Sequence, residues 1–563
     1  MITAHTTTIV LGGEAGQGIQ TVETLLVSLL RAAGWHVFAT KEYMSRIRGG
    51  SNSVTIRVSR RRVQAYAEIP DILVALDASA LAHLEPRIAP HTRILGDTAV
   101  LGSARRITDV PFQAIGSALG SALYANSAAA GAVLGIFGVP FDLVSAHLQR
   151  RFSAKKAEII TGNVEAARRG YAIGAELQSS GGLRPPAPPD QPAGRELLVN
   201  GAEAVAIGAL AGGCTFVASY PMSPSTGVLT FLAQQAQSCG IIVEQAEDEI
   251  AAINMVLGAW YAGARGLVTT SGGGFALMVE AVSLAGAMES PLVVHLAQRP
   301  GPATGLPTRT EQGDLQFALY SGHGEFARII LAPSTLEEGM LLTQRAFGIA
   351  DRFQVPVFIL TDQYFMDTYY NIPTPELPEA EPLHIVETDA GYRRYALTPD
   401  GISPRGIPGY GSGLVRVDSD EHDEDGRITE SMAMRVAMVD KRLRRVSVLT
   451  AEALPPRLNG PADGSLLVVG WGSTGPIIAE AIAGLGRSDV GHLHFTQVHP
   501  IHPTAAGILH SARKVVLVEG NATGQFGQLL ALHAGVDISD KILRYDGLQF
   551  SVEQLQEEFT RRL

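Results

Sequence analysis

Apolar residues along this chain fall into two kinds of run. Short unbroken stretches of Val, Ile, Leu and Ala predict strands covered on both faces. Between them, apolar residues at helical spacing predict helices. Residues 7–11 form a β-branched strand, the turn Gly12-Gly13-Glu14-Ala15-Gly16-Gln17-Gly18-Ile19 follows, and 20–33 is helical up to Gly34. Residues 72–76 give a further buried strand ending in Asp77, and strands alternate with helices to about Leu177. A first α/β domain over 1–178 is expected.

Serine, glycine and clustered prolines over 179–196 cannot build a core and predict an extended linker. The alternation then becomes regular. Helices over 202–211, 227–238, 248–262, 274–288, 314–319 and 336–353 lead to strands over 215–219, 241–243, 266–270, 292–296, 328–331 and 356–360. This second domain, over 197–375, has the pattern of a doubly wound parallel sheet. Residues 376–458 are proline-rich, then acidic around 418–425, then basic at Lys441-Arg442-Leu443-Arg444-Arg445. They predict an irregular connecting segment with a solvated acidic loop and a surface or docking helix over 435–445. A third α/β domain over 459–563 has strands over 466–469 and 515–518 and a helix over 477–483.

Composition narrows the function class. Hydrophobic residues make up 46% and charged residues 18%, as in a large globular protein of several domains. A net charge of -11 argues against a nucleic-acid binder. The two cysteines, Cys214 and Cys239, supply neither an iron–sulfur cluster nor a cysteine-only zinc site, and their scarcity fits a reducing cytoplasm. The N-terminus has no basic region leading into an apolar run, and no stretch reaches the roughly 18 apolar residues of a membrane span.

In open α/β sheets ligands bind where parallel strands end. Three stretches meet that description. Tyr220-Pro221-Met222-Ser223-Pro224-Ser225-Thr226 is stiffened by two prolines and carries hydroxyls suited to a small anion, with Ser225 or Thr226 also available to cap the next helix. Glu249 opens a helix that is apolar on nearly all sides, and a carboxyl in such a setting can carry a proton near neutrality. The plainer reading is a first-turn acid favoured by the helix dipole. Arg299 follows the strand over 292–296 and can grip a carboxylate with two parallel hydrogen bonds. Glu249, Ser223 and Arg299 follow different strands of one sheet and can converge.

In the first domain, Gly16 and Gly18 open a helix as a backbone anion nest, although Ile19 stands where a Walker loop requires Lys. Arg46 and Arg48 beside Gly49-Gly50 suit a phosphate; the alternative is a basic edge strand continued by Arg57 and Arg60-Arg61-Arg62. His492, His494, His499 and His502 invite a metal reading. Two of them alternate along a strand and two flank prolines, so no metal site is assigned.

At these residues the chain resembles the 2-oxoacid:ferredoxin oxidoreductases. Tyr220-Pro221-Met222-Ser223-Pro224-Ser225 is similar to that family's Tyr-Pro-Ile-Thr-Pro-Ser signature. Residues Thr304-Gly305-Leu306-Pro307-Thr308-Arg309-Thr310-Glu311-Gln312-Gly313-Asp314 resemble its Thr-Gly-Leu-Pro-Thr-Lys-Thr-Glu-Gln-Gly-Asp loop. Gly322-His323-Gly324-Glu325 also fits. Gly12 to Ile19 and Ser45 to Ser51 look like the γ subunit. Asn200 to Tyr364 and Leu466 to Phe550 look like the α subunit, the order of fused γ–α chains.

The resemblance implies a γ-like domain, a thiamine diphosphate pyrimidine-binding domain and a transketolase C-terminal-like domain. It implies decarboxylation of a 2-oxoacid on thiamine diphosphate, electron transfer through iron–sulfur clusters to ferredoxin, and release of an acyl-CoA, with the reverse direction available for CO2 fixation. Glu249 matches the glutamate that hydrogen-bonds the cofactor's aminopyrimidine. Ser223 stands where the family usually has Thr, against the substrate's oxygens, and Arg299 matches the arginine that binds the substrate carboxylate. Tyr220, Thr304 and Arg309 complete the expected substrate site. Gly16, Gly18, Arg46 and Arg48 are expected at coenzyme A. Met222 and Ser223 depart from the pattern, and Ser223 lacks a methyl, which loosens that contact.

Neither a Gly-Asp-Gly magnesium-diphosphate motif nor a cluster-binding cysteine set is present. Thiamine diphosphate with Mg²⁺ and a [4Fe-4S] cluster are therefore expected to rely on a separate β subunit, in an (αβ)2 assembly that reduces ferredoxin. The Arg309 loop favours 2-oxoglutarate over pyruvate. The alternatives are a ferredoxin-independent enzyme of transketolase or dehydrogenase type, and a non-catalytic anion-binding regulatory subunit.

Overall fold

The computed structural model describes residues 5–14, 18–44, 50–102, 107–181, 183, 185–189 and 193–563. The chain divides into two compact units. One comprises Met1–Val199, Asp367–Pro375 and Ser551–Glu553; the other comprises Asn200–Met366, Glu376–Phe550 and Gln554–Leu563.

The first unit is built on an eight-stranded sheet whose centre is antiparallel. Strand Thr6–Glu14 pairs antiparallel with Ser51–Ser59, which pairs antiparallel with His36–Glu42. On its other side, Thr6–Glu14 runs parallel to Ile72–Ala75. The connection from Glu42 to Ser51 is shorter than the crossover of about a dozen residues that a parallel pairing needs. Ser51–Ser59 is thus an inner strand, which removes the basic-edge reading of Arg57. That arginine is buried and donates from Nη1 to the Ala65 carbonyl at 2.7 Å. Helices Ala125–Ile136 and Ala157–Ser179 pack backbone to backbone through Gly131, Gly135, Gly170 and Gly174.

The second unit holds two sheets. Six strands of the larger sheet are parallel, in the order Ile329–Leu331, Pro356–Asp362, Leu292–Gln298, Gly266–Thr270, Phe216–Ser219, Ile242–Gln245. A seventh, Gln497–His499, joins antiparallel at the Ile329–Leu331 edge. The inner strands read as continuous apolar runs because helices cover both faces, and five of them are buried at nearly every residue. The smaller sheet runs Arg457–Asn459, Val490–Phe495, Leu466–Trp471, Val515–Glu519, Lys541–Leu543, with only the first strand antiparallel.

The expected surface helix near 435–445 is longer and more buried than its basic sequence implied. It spans Met432–Ala451, is capped by Ser431, and turns Lys441 and Arg445 inward. Lys441 Nζ donates to both carboxylate oxygens of Glu289 at 2.8 and 2.7 Å, and Arg445 pairs with the same carboxylate. The proline-rich stretch before it is fixed in a similar way. Arg405 and Arg265 both pair with buried Asp351. Among the described residues no helix is long and apolar enough to cross a membrane.

Helix Gly201–Ala211 lies close against helix Leu336–Phe353, and a Cβ on Gly208 would come 2.3 Å from the Met340 carbonyl. Gly208→Ala is expected to lower the unfolding free energy of this unit by about 1–3 kcal/mol through overpacking. Gly258 sits in helix Glu249–Tyr261 with open space where a Cβ would go. Gly258→Ala is expected to raise it by about 0.5–1 kcal/mol. Denaturant unfolding of the two variants should move in opposite directions.

Candidate active site

The carboxyl ends of four neighbouring strands supply the site: Ile242–Gln245, Phe216–Ser219, Gly266–Thr270 and Leu292–Gln298. The third of these leads directly into Ser271-Gly272-Gly273-Gly274, which begins the short helix Gly272–Phe275. Lacking side chains, this turn lets the other groups approach its backbone. A Cβ on Gly274 would lie 2.7 Å from Glu249 Oε1, and one on Gly272 would lie 2.6 Å from Asp314 Oδ2. A Cβ on Gly273 would face the Ala303 carbonyl at 3.7 Å and Met222 Sδ at 4.0 Å.

Glu249 is placed by its neighbour. Asp248, extended at φ -155°, caps the helix by accepting from the Ala251 N–H at 2.7 Å. The capping role is thereby filled, and Glu249 turns inward with only 4% of its surface exposed. Its Oε1 is buried and has no hydrogen-bond partner in this chain. A buried carboxylate oxygen without a donor is costly unless something else reaches it. Ser271 Oγ, Arg299 Nε and Asp314 Oδ2 are buried and unpartnered as well. Four orphaned polar atoms around one glycine turn mark a place for polar reactants.

Arg299 follows strand Leu292–Gln298 and donates from Nη1 to the Ser223 carbonyl at 2.8 Å, which brings the Pro-Ser loop against it. Burial lowers the Arg299 pKa from its ordinary value. Ser225 does not cap helix Thr226–Cys239; its Oγ donates to the Met222 carbonyl at 2.7 Å and closes the loop on itself. The Ser223 side chain and Tyr220 are exposed at the rim.

The loop carrying Thr304 and Arg309 is held from the smaller sheet. Gln312 is buried; its N–H donates to the Gly520 carbonyl at 2.7 Å and its Nε2 to the Trp471 carbonyl at 3.0 Å. Thr304 is exposed, and Arg309 packs its stem against Gly547. Asp314, which the sequence reading did not single out, closes this loop. Burial and the nearby Glu311 carboxylate push its pKa up to about 7, against the opposing pull of Arg299. The glycine turn at Ser271 was also passed over; its signal was a glycine run directly after a fully buried strand.

Of the four residues expected at coenzyme A, Gly16, Arg46 and Arg48 lie outside the described residues. Gly18 precedes helix Ile19–Ala32 with φ 82°. His492 and His494 are buried neighbours on one strand, their ring centroids 5.3 Å apart. Among the described residues no group of three or more His, Cys, Asp or Glu is arranged to hold a metal ion.

Residues 8–173 match the family described as pyruvate ferredoxin/flavodoxin oxidoreductase. Residues 207–441 match "Pyruvate flavodoxin/ferredoxin oxidoreductase, thiamine diP-bdg". A 2-oxoacid:ferredoxin oxidoreductase subunit alpha from a Sulfolobus species is 30% identical, over 97% of this chain and 95% of its own length. A second such subunit, from Aeropyrum pernix, is 31% identical over 96% of this chain and 95% of its own length. The solved 2-oxoglutarate:ferredoxin oxidoreductase from Magnetococcus marinus, with 2-oxoglutarate, coenzyme A and succinyl-CoA bound, superposes with a TM-score of 0.91. It is 27% identical, and the match covers 99% of each chain. Similarity sustained from end to end settles the family: this chain belongs to the 2-oxoacid:ferredoxin oxidoreductases as an alpha subunit.

Proposed function

We propose that this chain supplies the pyrimidine side of a thiamine diphosphate site for CoA-dependent oxidative decarboxylation of a 2-oxoacid, 2-oxoglutarate in preference to pyruvate. The observation that carries the proposal is Glu249 Oε1, buried and unpartnered against Gly274. That atom suits a ring nitrogen of the cofactor, and at Gly273, the middle of the turn, the nearest group beyond its chain neighbours stands 3.7 Å from where a Cβ would go. Thiamine diphosphate supplies, when bound, a carbon nucleophile for the 2-oxo carbon and a sink for the electron pair released with CO2.

The residues of this chain prepare that chemistry. Glu249 holds or gives up a proton at Oε1 in a dry setting, where a hydrogen bond is stronger than in water. Arg299, anchored by one nitrogen to Ser223, directs its remaining N–H groups at the substrate carboxylate. The Ser223 hydroxyl and Tyr220 border the entrance, and Thr304 and Arg309 lie on the loop that faces it. The solved relative with 2-oxoglutarate bound supports the dicarboxylate preference. The diphosphate, Mg²⁺ and the [4Fe-4S] cluster belong to a β subunit, because this chain has only Cys214 and Cys239 and lacks the diphosphate motif. Two such pairs form an (αβ)2 assembly that reduces ferredoxin.

The chain purified alone is expected to show no 2-oxoacid-dependent viologen reduction and no iron–sulfur absorption. Turnover without a partner subunit would overturn the division of labour.

In the assembled enzyme, Glu249→Gln is expected to cut turnover by about 10²–10⁴-fold with assembly intact. Rapid-quench measurement of hydrogen–deuterium exchange at C2 of the bound cofactor should slow in parallel. Unchanged exchange would return Glu249 to the status of a helix-start acid.

Gly16, Gly18, Arg46 and Arg48 are assigned to coenzyme A phosphates, each charge-assisted bond being worth about 1.5–3 kcal/mol. The double variant Arg46→Ala with Arg48→Ala should raise the KM for CoA and leave CoA-independent decarboxylation with one-electron transfer near its normal rate. Equal loss of both steps would make the arginines structural.

A further inference from the structure

Asp314 occupies the N-cap position of helix Leu315–Tyr320, yet its side chain caps nothing. Its backbone is fixed instead. The Asp314 N–H donates to Gln298 Oε1 at 2.9 Å, and Gln298 Nε2 donates to the Thr361 carbonyl at 3.1 Å. The preceding Gly313 carbonyl accepts from Gln525 Nε2 at 2.7 Å. So held, the carboxyl group lies flat against Gly272, with both oxygens within 2.7 Å of where a Cβ would stand. Oδ2 is buried and unpartnered. The charged groups around it are Arg299, from the end of strand Leu292–Gln298, and Glu311, from its own loop. Glu249 faces the far end of the same glycine turn.

An ordinary surface aspartate would cap its helix or pair with the arginine. This one does neither: no ion pair within 4.0 Å joins it to Arg299 among the described residues. The arginine therefore keeps the N–H groups not spent on Ser223 for an incoming carboxylate, and that second anion must enter beside Asp314. Two carboxylates cannot share such a site in ionised form without strong repulsion.

We propose that Asp314 is a proton-holding positioning residue for the substrate: it takes up a proton when the 2-oxoacid carboxylate binds Arg299 and gives it back when that carboxylate leaves. The proposal rests on the 2-oxoacid reading of the site. The sign follows from linkage. Below about pH 7 Asp314 already carries its proton, and substrate binding is indifferent to pH. Above it, binding must draw a proton from solvent, so KM rises with pH, by at most about tenfold per pH unit for a single group.

The test uses the assembled two-subunit enzyme. Calorimetric titration with glutarate, a dicarboxylate that cannot react, in two buffers of different ionisation enthalpy counts the protons taken up. At pH 8 the wild-type enzyme should take up most of one proton. Asp314→Asn should take up none, and its KM for 2-oxoglutarate should stay flat from pH 6.5 to about 8.5 while the pH profile of kcat keeps its wild-type shape. Absence of proton uptake by the wild-type enzyme overturns the proposal whatever the variant does. So does a wild-type slope of KM against pH retained in Asp314→Asn. An assembled wild-type enzyme that does not turn over 2-oxoglutarate or pyruvate at all defeats the underlying 2-oxoacid reading instead.

Discussion

The site depends on one constraint: at Gly272 and Gly274 the chain can carry no side chain. Glu249 and Asp314 press their carboxyl groups onto that turn from two sides, at distances that leave no room for a Cβ. Any other residue there would have to push one of them away. Because both groups follow parallel strands of one stiff sheet, Ile242–Gln245 and Leu292–Gln298, the turn and the carboxyl groups are set before any ligand arrives. Such preset polar groups stabilise developing charge without the cost of reorganising at the moment of reaction. Their unpartnered atoms are tolerable in the free chain only as a small set, offset by the buried apolar strands beneath them.

A second layer keeps this arrangement in register. The Thr304–Asp314 loop has little regular structure of its own, and its conformation is imposed by hydrogen bonds from Gln312 to Trp471 and Gly520 and from Gln525 to Gly313. The irregular stretch after Pro375 is fixed by buried charges instead of a core: Arg265 and Arg405 on Asp351, Lys441 and Arg445 on Glu289. Such pairs contribute little net stability relative to apolar packing, but removing one partner strands the other at a cost of about 3–5 kcal/mol. They act as fixed pins, specifying where a coil-like segment must lie.

Much of this was legible in the sequence, and for a physical reason. Strands buried on both faces are forced to be apolar throughout, so Gly266–Thr270 and helix Leu336–Phe353 were readable to the residue. Glu249 was legible as a carboxyl at the head of an apolar helix, with a helix-dipole acid as the plainer explanation, and Asp248 proved to be the cap. What failed to show was whatever depended on partners far along the chain. The antiparallel centre of the first sheet follows from a short connection, not from the strands' own composition. The burial of Lys441 requires Glu289, which no local pattern announces. Asp314 drew no notice as the last residue of a loop motif, because its unmade cap and the glycine it lies against, Gly272, are visible only in the fold.

Strand Gln497–His499, added antiparallel beside Ile329–Leu331, finishes the catalytic sheet with residues from the far end of the chain. During synthesis the apolar edge at Ile329–Leu331 therefore leaves the ribosome without its neighbour. At about 5–20 residues per second, the missing strand follows on the order of ten seconds or more later. An unpaired buried-type edge is a template for wrong partners. The sheet that carries the active site is thus sealed long after its parallel strands are made, and the nascent chain spends that interval with its catalytic half open to mispairing.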